Sequence, residues 1–386
     1  MIGRICRLPK THSFFLFGPR GVGKTTMLEA AFKPKDSVFV DLLDINLFDQ
    51  LMLDPSRFEA LIDSPENRRK RVVIDEIQKF PRLLDVAHRQ IQKRKRQFVF
   101  TGSSSRRLKQ QGVNLLAGRA YVFNLYPFTT AELGKAFDLK KALQWGTFPD
   151  AFLAPSPEDA REFLGAYVAT YLQKEILQEQ WVRNLLPFRR FLAVAAQMNG
   201  QIVNKSSLAS EAGVDDVTVA HYFEILEDTL LGFMLPAYHV SVRKAQRQAP
   251  KFYFIDPGLK RALDKTLGME LLPRTFAWGE AFEHWVILEI FKNASYKRLD
   301  WSFSYVRTKE DVEIDLVVVR PGERLLLIEI KSKDLASAKD AKALETLGGD
   351  LDPKAEKWLI SNDPLERKFG YTLALHWREA MRRLFA

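Results

Sequence analysis

Several features are scarce in this chain of 386 residues, and each scarcity excludes a class of protein. A single cysteine, Cys6, rules out a disulfide within the chain and suits a reducing compartment. The six histidines are scattered without ligand-like spacing, which argues against a structural zinc ion. No apolar run approaches the roughly 18 residues that a membrane helix needs, and the stretch at 14–17 is too short for a signal peptide. We therefore expect a cytoplasmic protein without a membrane partner.

The composition is that of a globular protein with a basic charge balance. Hydrophobic residues make up 46% of the chain and charged residues 27%, enough for a large core and for two to four structural units. There are 58 Lys and Arg against 48 Asp and Glu, a formal net charge of +10. Positive charge attracts polyanions, so nucleic acid is the leading class of partner, although simple solubility would explain the same balance.

The first motif is a glycine-rich loop between a predicted strand and a predicted helix. The run GPRGVGKTT fits the pattern G-x-x-x-x-G-K-[ST], in which backbone N–H groups surround a phosphate. Lys24 would reach the β- and γ-phosphates of ATP, and Thr25 would offer its hydroxyl to Mg²⁺. The alternative is a glycine-rich turn without a nucleotide. The predicted ATP-binding residues are Gly18, Pro19, Arg20, Gly21, Val22, Gly23, Lys24, Thr25 and Thr26.

A second motif follows about fifty residues later, where the run RVVIDEIQ at 71–78 predicts a buried strand that ends in carboxylates. Asp75 at the tip of this strand suits a direct or water-mediated contact to Mg²⁺, together with Thr25. Glu76 is then placed to activate the attacking water as a general base. Acidic pairs are common in loops, so this interpretation depends on the preceding phosphate loop.

Two further residues are candidates for sensing or stabilising the γ-phosphate. A predicted strand at 97–100 leads to Ser103, which could contact the phosphate or belong to a serine-rich turn. Arg119 precedes another strand-like run and could act as an arginine finger in a neighbouring subunit. It could equally be a surface residue, or bind nucleotide within its own subunit.

Together these motifs resemble AAA-type ATPases that combine an AAA_14 core with a DUF4143 region. The resemblance implies an additional-strand P-loop fold and ATP hydrolysis, but no particular biological role. One turn, GTFP, departs from the G-G-x-P expected in this family. The segments that carry the resemblance are GPRGVGKTT, VVIDEIQ, FTGSSS, LAGR followed by YPFTTAEL, and GTFPDAF at 146–152.

The middle of the chain reads as helical, with a helix-turn-helix signal. Residues 205–226 predict one helix capped by Ser206 or Ser207 and ending at Gly213. A second helix would begin at Asp215 or Asp216. A hairpin formed by 232–242 and 251–255 would supply the wing of a winged helix.

The charges of this module argue against base readout by its second helix. That helix contains four acidic residues and no Lys or Arg, and DNA is itself strongly negative. The predicted wing is basic, which favours sequence-independent contact with the DNA backbone. The alternative is that the module only packs between domains. The basic residues of the wing are Arg243, Lys244, Arg247 and Lys251.

The C-terminal part follows the α-β-β-β-α-β order of restriction-endonuclease-like domains. Asp315, Glu329 and Lys331 match the PD-(D/E)xK pattern apart from its proline, and Glu283 would project from the preceding helix. Antiparallel neighbours would bring Asp315 and Glu329 together around a second Mg²⁺, while Lys331 orients water or steadies the phosphate. The alternatives are a strand emerging into water, or a domain that binds nucleic acid without cutting it.

The expected fold is α/β, with four parts: a P-loop NTPase core with an AAA+-like parallel sheet, a helical lid, a winged-helix module and a restriction-endonuclease-like domain. The first functional hypothesis is an ATPase that binds and remodels DNA as a homo-oligomer such as a ring. By fold analogy with the bacterial branch-migration motor, branched DNA such as a Holliday junction is the test substrate. The alternatives are an ATP-gated nuclease and a nucleotide-dependent switch for protein partners. The predicted domain limits are 1–130, 131–186, 187–268 and 269–386.

Overall fold

The N-terminal strands form a parallel sheet in which the phosphate-loop strand is central. The computed structural model describes residues 2–104, 106, 108, 116, 118–172, 182, 184–239 and 248–386. All strand pairs of this sheet are parallel, and its order is β2-β3-β4-β1-β5. Because β4 lies between β1 and β3, the predicted additional-strand arrangement is confirmed. The strands are β1 (Ser13–Phe17), β2 (Ser37–Asp41), β3 (Arg71–Asp75), β4 (Phe98–Gly102) and β5 (Ala120–Asn124).

Helices pack against this sheet because its interior strands β1 and β4 are buried on both faces. All five side chains of β1 are buried, as expected for a strand in the middle of a parallel sheet. Asp44 accepts hydrogen bonds from two backbone N–H groups and so caps the second helix. The helices are α1 (Lys24–Ala31), α2 (Ile45–Leu53), α3 (Ser56–Asp63) and α4 (Leu83–Arg94), with a 3₁₀ turn at Ile77–Lys79.

The chain divides into two units, which are described separately below. Unit 1 comprises Met1–Tyr126 and Ile225–Leu231, and unit 2 comprises Pro127–Glu224 and Gly232–Ala386. The four predicted domain limits remain a prediction. No helix among the described residues combines the length and the apolar composition needed to cross a membrane.

The first part of unit 2 is helical, followed by a small antiparallel sheet. Asn204 caps the first helix of the predicted helix-turn-helix, so the predicted cap at Ser206 or Ser207 is wrong. Gly213 ends that helix at φ 73°, as predicted. The helices are α5 (Thr130–Leu133), α6 (Leu139–Trp145), α7 (Pro149–Phe152), α8 (Pro157–Ala166), α9 (Leu185–Gln197), α10 (Lys205–Ala212), α11 (Asp216–Asp228, from Ile225 in unit 1) and α12 (Pro257–Leu263).

Two antiparallel strands, β6 (Gly232–Leu235) and β7 (Lys251–Phe254), lie where the sequence predicted the wing. The winged-helix interpretation itself remains a prediction. Lys251 was expected to face the DNA backbone, and this is wrong: its side chain is buried and its ammonium pairs with Glu313. The remaining basic wing residues, at 243, 244 and 247, lie outside the described residues.

The last part of unit 2 has the predicted order of elements. A long helix, α13 (Phe276–Lys297), precedes a sheet with strand order β12-β13-β11-β10-β9-β8. β10 pairs antiparallel with β9 and parallel with β11, so it is an interior strand, as predicted. A final hairpin and helix were not predicted. The elements are β8 (Ser302–Arg307), β9 (Glu313–Val319), β10 (Leu326–Lys331), α14 (Lys342–Leu351), β11 (Glu356–Ser361), β12 (Arg367–Phe369), β13 (Thr372–His376) and α15 (Trp377–Phe385).

Candidate functional site

The phosphate loop of unit 1 is shaped by glycines that no other residue could replace without strain or a clash. A Cβ on Gly18 would lie 2.3 Å from the carbonyl oxygen of Leu125. Gly21 and Gly23 have φ values of 73° and 87°, in the left-handed region that favours glycine. The Gly18 N–H donates to the carbonyl of Gly102 at 3.3 Å, which ties the loop to the end of β4.

Lys24 lies at the start of α1 and folds back over the loop. Its Nζ donates to the carbonyl oxygens of Gly18 at 2.7 Å and Pro19 at 3.1 Å, and the side chain is almost fully buried. A buried ammonium, left-handed glycines and the N-terminus of an eight-residue helix together offer positive charge and N–H donors. These residues fit the polyphosphate of a nucleotide.

Asp75 holds two hydroxyl groups at the end of β3. Thr25 donates to its Oδ2 at 2.8 Å, and Thr101 donates to its Oδ1. A carboxylate beside a phosphate-loop hydroxyl is the oxygen donor set that Mg²⁺ prefers, so the structure places Thr25 and Asp75 together as predicted. Thr101 was missed by sequence reasoning, because only the pairing of β3 with β4 brings it to Asp75.

Glu76 adopts a left-handed backbone, with φ 56° and ψ 48°, which is uncommon for a residue other than glycine. Its N–H contacts Asp75 Oδ1 at 3.1 Å and Thr101 Oγ1 at 3.2 Å. The side-chain amide of Gln78 donates to the Glu76 carboxylate and to the hydroxyl of Ser103 at 3.3 Å. Strained backbone of this kind is concentrated at functional sites.

The other predicted residues differ in their exposure. Ser103 is buried beside Gln78, whereas Arg119 is exposed just before β5. Within the loop, Arg20 and Thr26 are exposed, while Pro19 and Val22 are buried. The roles of Ser103 and Arg119 remain predictions.

Unit 2 contains a second cluster, formed by residues of β9, β10, α13 and β7. Asp315 accepts from the backbone N–H of Ile330 at 2.7 Å, which confirms that β9 and β10 bring Asp315 beside Glu329. The Lys331 ammonium bonds to Glu329 Oε1 and lies 3.9 Å from Asp315 Oδ2. The other oxygen of Glu329, Oε2, is buried without a hydrogen-bond partner.

Charges in this cluster influence one another strongly. Burial raises the pKa of Glu329 to about 8, and the neighbouring Asp315 adds to the rise. The same two causes raise the pKa of Glu283 to about 8. Burial opposes the charge of Lys331, but the Asp315 and Glu329 carboxylates outweigh it and raise the pKa of that ammonium.

Two residues of the hairpin strand β7 join the cluster, and the sequence motif did not include them. The Tyr253 hydroxyl donates to Glu283 Oε1 at 3.0 Å, and burial raises the pKa of Tyr253 well above its usual range. The Lys251 ammonium pairs with Glu313. A cavity of about 630 Å³ opens onto these residues, with Glu283 and Lys331 in its wall.

A metal ion at this second cluster would have few protein ligands. Among the residues that the structure describes, no group of three or more His, Cys, Asp and Glu side chains could hold a metal ion together. The predicted pair, Asp315 and Glu329, therefore offers two carboxylates, and one of them is already bonded to Lys331. Two carboxylates can suffice for Mg²⁺ when waters or substrate phosphates complete its shell.

The geometry of unit 1 defines a class: an additional-strand P-loop nucleotide-binding protein. Comparisons with known families make the assignment more specific. Residues 10–134 match an AAA domain, AAA_14, and residues 278–377 match the domain of unknown function DUF4143. Both matches support an AAA-type ATPase of the AAA_14/DUF4143 family, as the sequence motifs suggested. The intervening residues 136–270 match another domain of unknown function, DUF8612.

Individual relatives add little about activity. Uncharacterized proteins of Mycobacterium bovis and Mycobacterium tuberculosis are each 28% identical over 315 residues, covering 80% of this chain and 67% of theirs. A crystal structure of a Signal Transduction ATPase with Numerous Domains (STAND) protein with a tetratricopeptide repeat sensor, from Pyrococcus horikoshii, is 12% identical with a TM-score of 0.23. The match covers 73% of this chain and spans 43% of that structure's length. At that TM-score the likeness supports no assignment.

Proposed function

We propose that unit 1 hydrolyses ATP with Mg²⁺ and that Glu76 is the general base. The observation that carries the proposal is the position of Glu76: it follows Asp75 at the tip of β3, and Asp75 is bonded to Thr25 of the phosphate loop. A carboxylate next to the magnesium ligands lies on the side of the γ-phosphate from which water attacks in this class of ATPase.

Each residue of the site has a separate task in this reaction. The loop N–H groups and Lys24 bind the phosphates, and Lys24 exchanges its present carbonyl partners for phosphate oxygens. Thr25 and Asp75 would hold Mg²⁺, which when bound neutralises charge on the β- and γ-phosphates. Glu76 accepts a proton from the attacking water, and Ser103, which shares the Gln78 amide with Glu76, would contact the γ-phosphate.

Two substitutions separate binding from chemistry. Lys24→Ala should weaken ATP binding, whereas Glu76→Gln should retain binding and lower kcat by about 10²- to 10⁴-fold, the usual contribution of a general base. Glu29→Gln is the matched control, because Glu29 is an exposed carboxylate on α1. Retention of full hydrolysis by Glu76→Gln would refute the assignment.

The proposal extends to a homo-oligomer such as a ring, in which Arg119 completes the site of a neighbouring subunit. Its support is the exposure of Arg119 beside β5. Arg119→Ala and Glu76→Gln subunits should each be inactive alone but regain activity when mixed, since an interface can then combine an intact Glu76 with an intact Arg119. If Arg119→Ala is inactive and mixing restores nothing, Arg119 does not act between subunits.

DNA is the proposed target of the ATPase. The support is the net charge of +10 and the basic residues in the sequence between β6 and β7. ATP turnover should rise with linear or branched DNA, and alanine at Arg243, Lys244 and Arg247 should weaken binding. The same variant should reduce the salt slope by up to about 0.9 per lost phosphate contact. Turnover that ignores DNA, with no DNA affinity at low salt, would favour a switch for protein partners instead.

A metal-dependent nuclease gated by ATP is the second candidate function. One observation favours it: Asp315, Glu329 and Lys331 have the spacing and strand pairing of a nuclease-like site, and Lys331 lines an open cavity. Cleavage of DNA with Mg²⁺ or Mn²⁺ that is abolished by Asp315→Ala would support this activity. DNA-stimulated ATP turnover without any cleavage would leave the cluster a binding module.

A further inference from the structure

Gln78 lies two residues after Glu76, and neither the phosphate-loop pattern nor the proposed reaction gives it a role. It belongs to the 3₁₀ turn Ile77–Lys79, and its side chain is 3% exposed. A polar side chain at this depth must find partners or lose free energy. Its partners are the Glu76 carboxylate and the Ser103 hydroxyl.

The nitrogen and the oxygen of the Gln78 side-chain amide differ in their hydrogen bonding. Nε2 faces two acceptors, whereas Oε1 is buried without a hydrogen-bond partner. Oε1 points at Gly102, where an added Cβ would lie only 2.5 Å away. Rotating the amide by half a turn would place its oxygen beside the Glu76 carboxylate, which would repel the partial negative charge of the amide oxygen. The site therefore tolerates an unsatisfied carbonyl in order to keep an N–H donor on Glu76.

Glu76 needs such a donor because its backbone does not fix its carboxylate. Its left-handed conformation is held through the main-chain N–H, by Asp75 and Thr101. Among the described residues, the hydrogen-bond donor that reaches the Glu76 carboxylate is the Gln78 amide. The same amide also contacts Ser103, so one group joins the end of β4 to the carboxylate.

We propose that Gln78 is a positioning residue for ATP hydrolysis, which holds the Glu76 carboxylate in line with Ser103. The proposal rests on the proposed function of Glu76 as the base. Because the Gln78 amide donates to both residues, the orientation of the Glu76 carboxylate depends on the position of the Ser103 hydroxyl. If Ser103 contacts the γ-phosphate, it therefore also orients the general base. Gln78 touches neither the phosphate nor the water in this role and acts through Glu76.

The test compares Gln78→Ala, Gln78→Glu and Glu76→Gln with the wild-type chain. Gln78→Ala should lower kcat by about 10- to 100-fold, as expected for a misplaced base, while ATP affinity stays within about two-fold. The KM for ATP should change much less than kcat, because a misplaced base affects the chemical step and not the binding of the nucleotide. Gln78→Glu should lower kcat at least as far, because its carboxylate offers no N–H donor to Glu76 and repels it.

Gln90→Ala is the matched control. Gln90 is also buried, also donates its amide to a carboxylate, that of Asp63, and also leaves its Oε1 without a partner. It lies on α4 and is no part of the nucleotide site. Its substitution should lower the free energy of unfolding by a similar amount but leave kcat unchanged.

Several outcomes are decisive. A folded Gln78→Ala with wild-type kcat overturns the proposal. So does a Gln78→Ala that loses kcat only in proportion to ATP affinity, as general loosening would cause. If Gln78→Ala does not fold, Gln78→Glu carries the test, and a folded Gln78→Glu with wild-type kcat overturns the proposal. A wild-type chain that does not hydrolyse ATP, or a fully active Glu76→Gln, overturns the proposed function itself and this inference with it.

Discussion

Lys331→Met removes the cation that neutralises the acidic cluster of unit 2. Glu329 and Asp315 are 5% and 6% exposed, so both carboxylates depend on the ammonium between them. Removing one partner of a buried ion pair costs about 3–5 kcal/mol. The side chain of Lys331 is itself 37% exposed, and solvent screening reduces that figure to about 2–3 kcal/mol.

The stability lost in Lys331→Met should depend on pH, because a buried carboxylate without its cation can take up a proton and become neutral. Burial and Asp315 raise the pKa of Glu329 to about 8, above its value in the unfolded chain. A raised folded-state pKa contributes stability at low pH that is lost as the pH rises through about 8. Without Lys331 that pKa rises further, so Lys331→Met should cost little at pH 6 and about 1.4 kcal/mol more for each pH unit above 8, up to the full amount.

Urea unfolding at pH 6 and pH 9 measures the difference in the free energy of unfolding. Lys140→Met is the control, because the pair formed by Lys140 and Glu270 is exposed and should be worth at most about 1 kcal/mol. Equal losses for Lys331→Met and Lys140→Met at pH 9 would refute the reasoning. If Asp315 and Glu329 bind metal, Mn²⁺ at 100 times its Kd should raise the free energy of unfolding of Lys331→Met by about 2.7 kcal/mol. The absence of rescue would count against the nuclease.

Two further substitutions test the packing of unit 2. Gly146 has φ 73°, and an added Cβ would lie 1.9 Å from Asp256 Oδ1, so Gly146→Ala should lower the free energy of unfolding by about 3–5 kcal/mol through backbone strain and lost charged hydrogen bonds. Gly134 also has a positive φ, of 53°, but an added Cβ would meet no atom, so Gly134→Ala should lose only the free energy of backbone strain. Equal losses in the free energy of unfolding for Gly146→Ala and Gly134→Ala, measured in urea, would contradict the argument. Burial lowers the pKa of His284 to about 3, so below pH 6.5 the unfolded chain binds a proton that the folded chain does not, and stability falls by up to about 1.4 kcal/mol per pH unit. His284→Gln should flatten the dependence of stability on pH between 6.5 and 4.5, and an unchanged slope would contradict the assignment.

The nucleotide site could be predicted where its chemistry is local in sequence. The phosphate loop and the strand ending in Asp75 are each contained in a short segment whose pattern requires one backbone arrangement. Thr101 and Gln78 could not be predicted in the same way. Thr101 meets Asp75 only because β3 and β4 are neighbours in register, and Gln78 meets Ser103 only because a 3₁₀ turn folds it back.

The acidic cluster shows the same limit. The spacing of Asp315, Glu329 and Lys331 along two adjacent strands was sufficient to place them together. Tyr253 and Lys251 come from a hairpin more than sixty residues upstream of Asp315, and their charge pattern suggested a surface wing. The net charge of a segment indicates which molecules it could attract. It does not show that a charged residue such as Lys251 already forms an ion pair within the chain.

Two of the sequence motifs that resemble the family supply hydrogen-bond donors to buried carboxylates of unit 2. Thr130 of YPFTTAEL donates to Glu289 Oε2 through its backbone N–H at 3.0 Å and its hydroxyl at 2.7 Å, and Glu289 is fully buried on α13. Thr147 of GTFPDAF donates its N–H to the buried Asp256 at 2.6 Å, and its hydroxyl accepts from Lys292 at 3.4 Å. Buried carboxylates require such donors, because an unpaired charge in a core costs several kcal/mol. These threonines therefore satisfy charges in the core of unit 2, and the family resemblance that they carry reflects the packing of α13 rather than the chemistry of ATP.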